Sequence, residues 1–297
     1  MKKQRISAYI GIIFVNVMWG LSFIASKYSM QNGLTPFSLA MVRYIVTPIV
    51  LLPPLLHAKF KPYLPKKDIF LMAVSGLFGA TIYFYFENNG ILRTTAANAS
   101  LIVASIPVFT MLSGVIFHKK RPSKLSWLGA VLSLTGVYLV VSSDTSGTDS
   151  LTGNLLMLCA CICWVVYVET TDILLKRGHS SLEITWWQSV FSLISLLPLG
   201  LTQGVQWSAI PLSAYLASAG FLGCICSALC FFLYAYSIQH LSPIGSAIFL
   251  NLNPLAAVLG SVFLLGETIL PIQILGGAII IGSIFLVNRP AKKISRS

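Results

Sequence analysis

The sequence predicts an all-α integral membrane protein with ten transmembrane helices in two inverted five-helix repeats. Three observations carry that expectation. The composition is 56% hydrophobic and 9% charged over 297 residues, with a mean hydropathy of +0.83. Soluble domains are roughly 45–50% apolar and about 25% charged. The apolar residues fall into runs long enough to cross a hydrocarbon core of roughly 30 Å, which takes about 20 residues at 1.5 Å each. The basic residues collect in alternate breaks between these runs. Together these observations exclude an ordinary soluble enzyme, a disordered chain and a secreted disulfide domain.

The first run, Ser7–Ser29, follows Met1-Lys2-Lys3-Gln4-Arg5. It is longer than the apolar stretch of about 7–15 residues in a signal peptide and has no obvious small-x-small end, so it reads as a retained helix. Pro36–His57 opens after the Gln31-Asn32-Gly33 break, and Asp68–Ile91 after Lys59-Phe60-Lys61-Pro62. Thr95–Phe117 and Leu125–Ser142 complete a first half, assigned to residues 1–147. Leu151–Asp172, Glu183–Gln203, Pro211–Ile238, Pro243–Leu265 and Pro271–Asn288 form the second half, residues 148–297. None of the runs alternates at period two, so they read as helices rather than barrel strands.

With the N-terminus inside, the inner segments hold Lys2, Lys3 and Arg5; Lys59, Lys61, Lys66 and Lys67; and Lys119, Lys120, Arg121 and Lys124. Lys176, Arg177 and the C-terminal Arg289, Lys292, Lys293 and Arg296 fall on the same side, against Lys27 and Arg93 outside. This asymmetry places both termini in the cytoplasm. It also accounts for the net charge of +12 as topology and attraction to anionic lipid rather than nucleic-acid binding.

Aligning Ala97–Val141 with Ile244–Asn288 matches Pro107 to Pro254, Leu112 to Leu259 and Gly129 to Gly276. Five spans per half is an odd number, so the two copies insert in opposite senses, as in many alternating-access carriers.

The chain resembles the EamA family of the drug/metabolite transporter superfamily over essentially its whole length. The resemblance rests on Val17-Met18-Trp19-Gly20-Leu21-Ser22-Phe23, Met41-Val42-Arg43-Tyr44 and Thr94-Thr95-Ala96-Ala97-Asn98-Ala99-Ser100, with Ile106-Pro107-Val108-Phe109. The second half adds Ser242-Pro243-Ile244-Gly245-Ser246-Ala247, Asn253-Pro254-Leu255 and Leu265-Gly266-Glu267. Cys163-Trp164 stands where a Trp-Gly pair is typical, and Gln188 or a neighbour stands opposite Arg43. The resemblance implies a 5+5 inverted repeat around a central cavity. It also implies transport of small metabolites, often amino acids, with export common.

Ionisable residues within spans are costly, about 2.5–3.5 kcal/mol at the bilayer centre, and are functional candidates by default. Glu87, placed near the outer end of its helix, reads either as a partner for Arg43 or Lys27 or as a gating or proton-linked carboxylate. Glu169 and Asp172 read as an interfacial cluster with Lys176 and Arg177, and Glu267 as a solvated loop residue. Pro107 and Pro254 are helix-break candidates that free backbone carbonyls near the midplane. The substrate-binding or gating candidates in the first half are Trp19, Arg43, Tyr83, Glu87 and Asn98. Those in the second are Trp164, Trp186, Tyr234 and Asn253, with an interfacial belt as the other reading of Trp186.

The six cysteines lie inside spans and read as packing residues. The histidines form no metal-ligand spacing. No catalytic residue, metal or cofactor is expected, and the chain is not expected to be an enzyme. The function expected is a secondary active transporter in the cytoplasmic membrane, moving amino acids or related amphipathic or cationic compounds. Membrane lipids surround it and protons are the candidate coupling ion. A channel-like facilitator and a non-transporting scaffold or sensor are the alternatives. The substrate, the direction of flux and the oligomeric state stay open.

Overall fold

The computed structural model describes residues 2–58, 64–93, 99, 102–119, 122–141, 151–265 and 271–287. Among them the chain is helical and no strand occurs. The helices are α1 (Lys2–Gln31), α2 (Pro36–His57), α3 (Lys66–Arg93), α4 (Ile106–His118) and α5 (Lys124–Val141). They continue with α6 (Leu151–Lys176), α7 (Ser181–Leu201), α8 (Leu212–Leu241), α9 (Pro243–Ala247), α10 (Asn253–Leu265) and α11 (Pro271–Val287). Six of them, α1, α2, α3, α6, α7 and α8, are long and apolar enough to cross a membrane.

Local sequence sets the ends. Thr35 caps α2 by accepting from the Ser38 amide while Ser38 Oγ accepts from the Thr35 amide, and Pro36 occupies the first turn. Ser180 caps α7, with Glu183 in its first turn. Two helices widen internally into π turns, over Leu77–Thr81 in α3 and Leu216–Leu229 in α8. Such widening recurs near functional sites. Pro107 lies in the first turn of α4, directly after a turn at Ala104 and Ser105. Pro254 follows a 3₁₀ stretch, Ile248–Leu252, at the start of α10.

The radial pattern is that of a chain solvated by lipid. Large apolar side chains such as Ile10, Phe70, Phe117 and Leu212 point outward. Asn16, Arg43, Asp68, Glu87, Asn88, Gln188 and Asn251 are buried. Buried polar groups then bond between helices, since the surrounding solvent offers them nothing. Asn88 donates to the Pro36 carbonyl at 2.9 Å, and Asn251 donates to Ser133.

Helix pairing follows a regular scheme. α2 packs on α7, and α5 on α11. The C-terminal half of α3 packs on α6, and the C-terminal half of α8 packs on α1. Close crossings use glycine. A Cβ on Gly20 would lie 2.6 Å from both Ala256 Cβ and the Asn253 carbonyl oxygen of α10. One on Gly136 would lie 2.8 Å from the Gly276 carbonyl oxygen of α11.

Candidate functional site

A cavity lies between α1, α2, α3, α4, α6, α8 and α10. Its aromatic wall begins with Trp19 and Trp164, whose rings meet edge-to-face at 5.2 Å. Phe231 contacts both, at 5.5 and 5.6 Å, and Tyr83 lies 5.2 Å from Trp164. Offset and T-shaped contacts of this kind are the favourable ones for quadrupolar rings. The indole N–H groups are engaged: Trp19 donates to the Cys226 carbonyl at 3.0 Å, and Trp164 to Tyr234 Oη at 3.4 Å. The rings are therefore held from behind. Tyr234 supports the wall without lining the cavity.

Two charged residues line the same space. Arg43, on α2, is 2% exposed. Its Nε donates to Ser227 Oγ at 3.0 Å, and its guanidinium carbon sits 4.1 Å from the Phe84 ring centroid. A ring face attracts a desolvated cation by about 2 kcal/mol. Glu87, on α3, accepts from Tyr83 Oη at 2.7 Å. Tyr83 and Glu87 are one helical turn apart, which puts donor and acceptor on one face. No direct ion pair joins Arg43 to Glu87 or Lys27 to Glu87 among the described residues. Asn253 completes the polar set, with Oδ1 buried and without a partner.

Trp19, Arg43, Tyr83, Glu87, Trp164 and Asn253 thus come together around one cavity, while Asn98 lies outside the described residues. Trp186 is elsewhere. It is half-buried on α7, donates to the Pro48 carbonyl at 3.1 Å and lines no part of the cavity. The third helix runs on to Arg93, so Glu87 lies six residues, roughly 9 Å, before its end and is 8% exposed. Sequence reasoning missed Ser22, Phe84, Ser227 and Phe231, which carry no signal beyond an ordinary membrane-helix composition.

The expected interfacial cluster also rearranges. Asp172 pairs with Lys176, but Arg177 turns to Asp68 at the start of α3, and Glu169 accepts from Ser113 at 2.7 Å. His179 Nε2 is 3.0 Å from the other Asp68 oxygen, and its Nδ1 is 3.1 Å from Glu183. Partial burial opposes a charge on His179, yet the Asp68 and Glu183 carboxylates raise its pKa above the ordinary value. Glu267 lies outside the described residues. Among the described residues no group of three His, Cys, Asp or Glu side chains could hold a metal.

The sequence pattern of the EamA-like transporter family matches residues 6–142 and again residues 151–289. The chain belongs to the EamA-like transporter family. It is a multi-pass membrane transporter of small metabolites rather than an enzyme. It is 27% identical to an uncharacterised transporter of Archaeoglobus fulgidus, over 92% of this chain and 94% of that protein. It is 28% identical to a protein of Streptantibioticus cattleyicolor described as a probable terminal-alkyne amino-acid exporter, over 75% of this chain and 74% of the relative. A crystal structure at 17% identity superposes with a TM-score of 0.76 over 95% of this chain and 98% of that one, a likeness of fold alone.

Proposed function

We propose that this EamA transporter is a secondary carrier that exports small zwitterions of the amino-acid class across the cytoplasmic membrane by alternating access. The observation that carries the reading is the cavity that buries Arg43 and Glu87 together among aromatic rings. Arg43 spends its Nε on Ser227, which leaves the forked terminal amino groups for a carboxylate. Glu87 and the unpartnered Asn253 Oδ1 are acceptors for an ammonium group. Trp19, Trp164 and Phe231 would cover an apolar side chain. The amino-acid exporter among the relatives is consistent with this class.

On this reading, residues 1–147 and 148–297 are inverted five-helix repeats within a ten-helix topology, both termini are cytoplasmic, and the halves rock about the cavity. The packing supports it, because exchanging the halves turns the α3–α6 contact into the α8–α1 contact. The π turns fall in α3 and α8, which that exchange also interconverts. Protons are the proposed coupling ion, with Glu87 as the carboxylate that takes them.

The test is uptake of labelled L-amino acids into proteoliposomes, with and without an imposed pH gradient. Saturable uptake with counterflow is expected, and the gradient should accelerate it. Rates that rise linearly with concentration would replace a carrier with a channel. Absence of uptake across the panel would remove the amino-acid class.

A further inference from the structure

A second, tighter cavity lies beside the first along α3. Ser75, Gly76 and Gly79 line it, one to three helical turns before Tyr83 and Glu87 on the same helix. Tyr44 and Thr47 line it from α2, directly after Arg43. Phe231 belongs to both linings, and Arg43 of the first wall bonds Ser227 of the second, so the two spaces are neighbours. The second wall is built differently from the first. Its side chains bring hydroxyl and amide groups, and no charged residue is among them.

Gln188 is the centre of that wall. It is 5% exposed on α7. Its Nε2 donates to Ser75 Oγ at 2.6 Å and to Thr171 Oγ1 at 2.9 Å. Those two bonds fix the amide and direct Oε1 away from them. Gln188 Oε1 is buried and has no partner. A buried acceptor left unmade costs about 1–3 kcal/mol, so a site that retains one is built for a donor.

The position of Gln188 relates the two cavities. Arg43 on α2 bonds a serine of α8, and Gln188 on α7 bonds a serine of α3. Exchange of the two halves converts one contact into the other. The same cross-half socket therefore holds a cation in one copy and a neutral acceptor in the other.

Building on the carrier reading above, we propose that the Gln188 cavity is a second binding station on the transport path. It receives the hydrogen-bond-donating ammonium end of the solute after the Phe231 ring has moved aside. The first station holds both charges of the zwitterion through Arg43 and Glu87. The second presents uncharged hydroxyl and amide groups, with Gln188 Oε1 as a buried acceptor, so it binds more weakly and releases. As it stands the space holds about one water, so the ammonium end enters only as the wall opens at Phe231.

The probe is a labelled mixture of the twenty L-amino acids, used in two assays. One is equilibrium binding to the solubilised protein, and the other is uptake into proteoliposomes. In Gln188→Leu, binding should stay within about twofold of wild type while uptake falls about tenfold, the loss expected when a charged donor meets no acceptor. Retained binding also reports that the variant folds. Thr171→Val keeps Gln188 and removes one of the hydroxyls that orient it, so its uptake should fall by less. Wild-type uptake in Gln188→Leu overturns the proposal. Equal loss of binding and uptake in both variants overturns it too, because Gln188 would then be a structural residue or part of the first station. A wild-type protein that binds and carries nothing refutes the carrier reading itself, which the behaviour of the variants alone does not.

Discussion

Gly20 is the position at which one methyl group should do the most damage to both stability and site. It follows Trp19 in α1 and faces the first turn of α10. An added Cβ would stand 2.6 Å from Ala256 Cβ, 2.6 Å from the Asn253 carbonyl oxygen and 3.2 Å from the Ala257 nitrogen. Comfortable contacts of this kind lie at about 3.5–4.0 Å, so α1 and α10 must separate by roughly 1 Å. Two of the three obstacles are backbone and cannot swing aside. Overpacking of this type costs about 1–3 kcal/mol. Against it stands the helix preference for alanine over glycine, about 0.8–1.0 kcal/mol. Gly20→Ala should therefore lose up to about 2 kcal/mol net.

Gly11 and Gly220 supply the controls. At Gly11 the nearest atom to an added Cβ is Leu233 Cδ2 at 3.5 Å, and at Gly220 nothing lies within 4 Å. Both substitutions should gain up to about 1 kcal/mol from helix propensity alone. Thermal unfolding of the three variants in one detergent measures the order: Gly220→Ala and Gly11→Ala above wild type, Gly20→Ala below. Because the displaced backbone carries Asn253, Gly20→Ala should also weaken amino-acid binding. Equal stability of Gly20→Ala and Gly11→Ala would refute the close crossing of α1 and α10.

Three further outcomes follow from the charged groups. Arg43→Met removes the proposed carboxylate anchor and should weaken amino-acid binding by about 10–100-fold in an equilibrium assay, the scale of a charged hydrogen bond; unchanged binding would exclude Arg43 from the site. Glu87→Gln should carry amino acids at a rate insensitive to an imposed pH gradient, and gradient-driven uptake at the wild-type rate would rule out Glu87 as the proton carrier. His179 gains stability from its charged form, because Asp68 and Glu183 raise its pKa above the ordinary 6.5. That contribution is fully present below about pH 6.5 and is lost as the pH rises through the raised value. The melting temperature of wild type should exceed that of His179→Asn at pH 6, and the gap should narrow on going to pH 9; a gap that widens with pH would reverse the assignment.

The all-helical membrane class and several residues of the cavity wall were legible for the same reason. In a chain with so few charges, a lone Arg43 or Glu87 inside an apolar run stands out, and so do Trp19 and Trp164. What escaped depends on long-range pairing. Asp68 meets Arg177 and His179 across sequence separations of 109 and 111 residues, whereas the expected cluster used only neighbours on one helix. Gln188 was legible only as the counterpart of Arg43; its bonds to the Ser75 and Thr171 hydroxyls were not, because serine and threonine are common in membrane helices. The π turns carry no local signature either; backbone of that shape is selected by packing between helices. Trp186 and Trp187 are adjacent, so helical rotation sends their rings in different directions, and composition alone did not tell which way Trp186 turned.

The relation between Arg43 and Glu87 bears most directly on how the cavity works. A burial cost of about 2.5–3.5 kcal/mol for a charge at membrane depth would be offset most simply by letting the two groups close on each other. Here each instead takes a neutral partner, Ser227 for Arg43 and Tyr83 for Glu87, and both charges remain on the wall of one cavity. A closed ion pair would be self-sufficient and would compete with any solute. Two separated charges of opposite sign are individually under-stabilised, so a zwitterion that bridges them gains what the pair forgoes. The pair should then show coupling in a double-mutant cycle of Arg43→Met and Glu87→Gln. Without solute, the double variant should be more stable than the sum of the single losses, since across a low-dielectric cavity each charge still gains from the field of the other. For amino-acid binding, each single variant should lose most of the affinity, and the second change should add little. Strict additivity in both measurements would mean that the two charges act independently and that no single solute spans them.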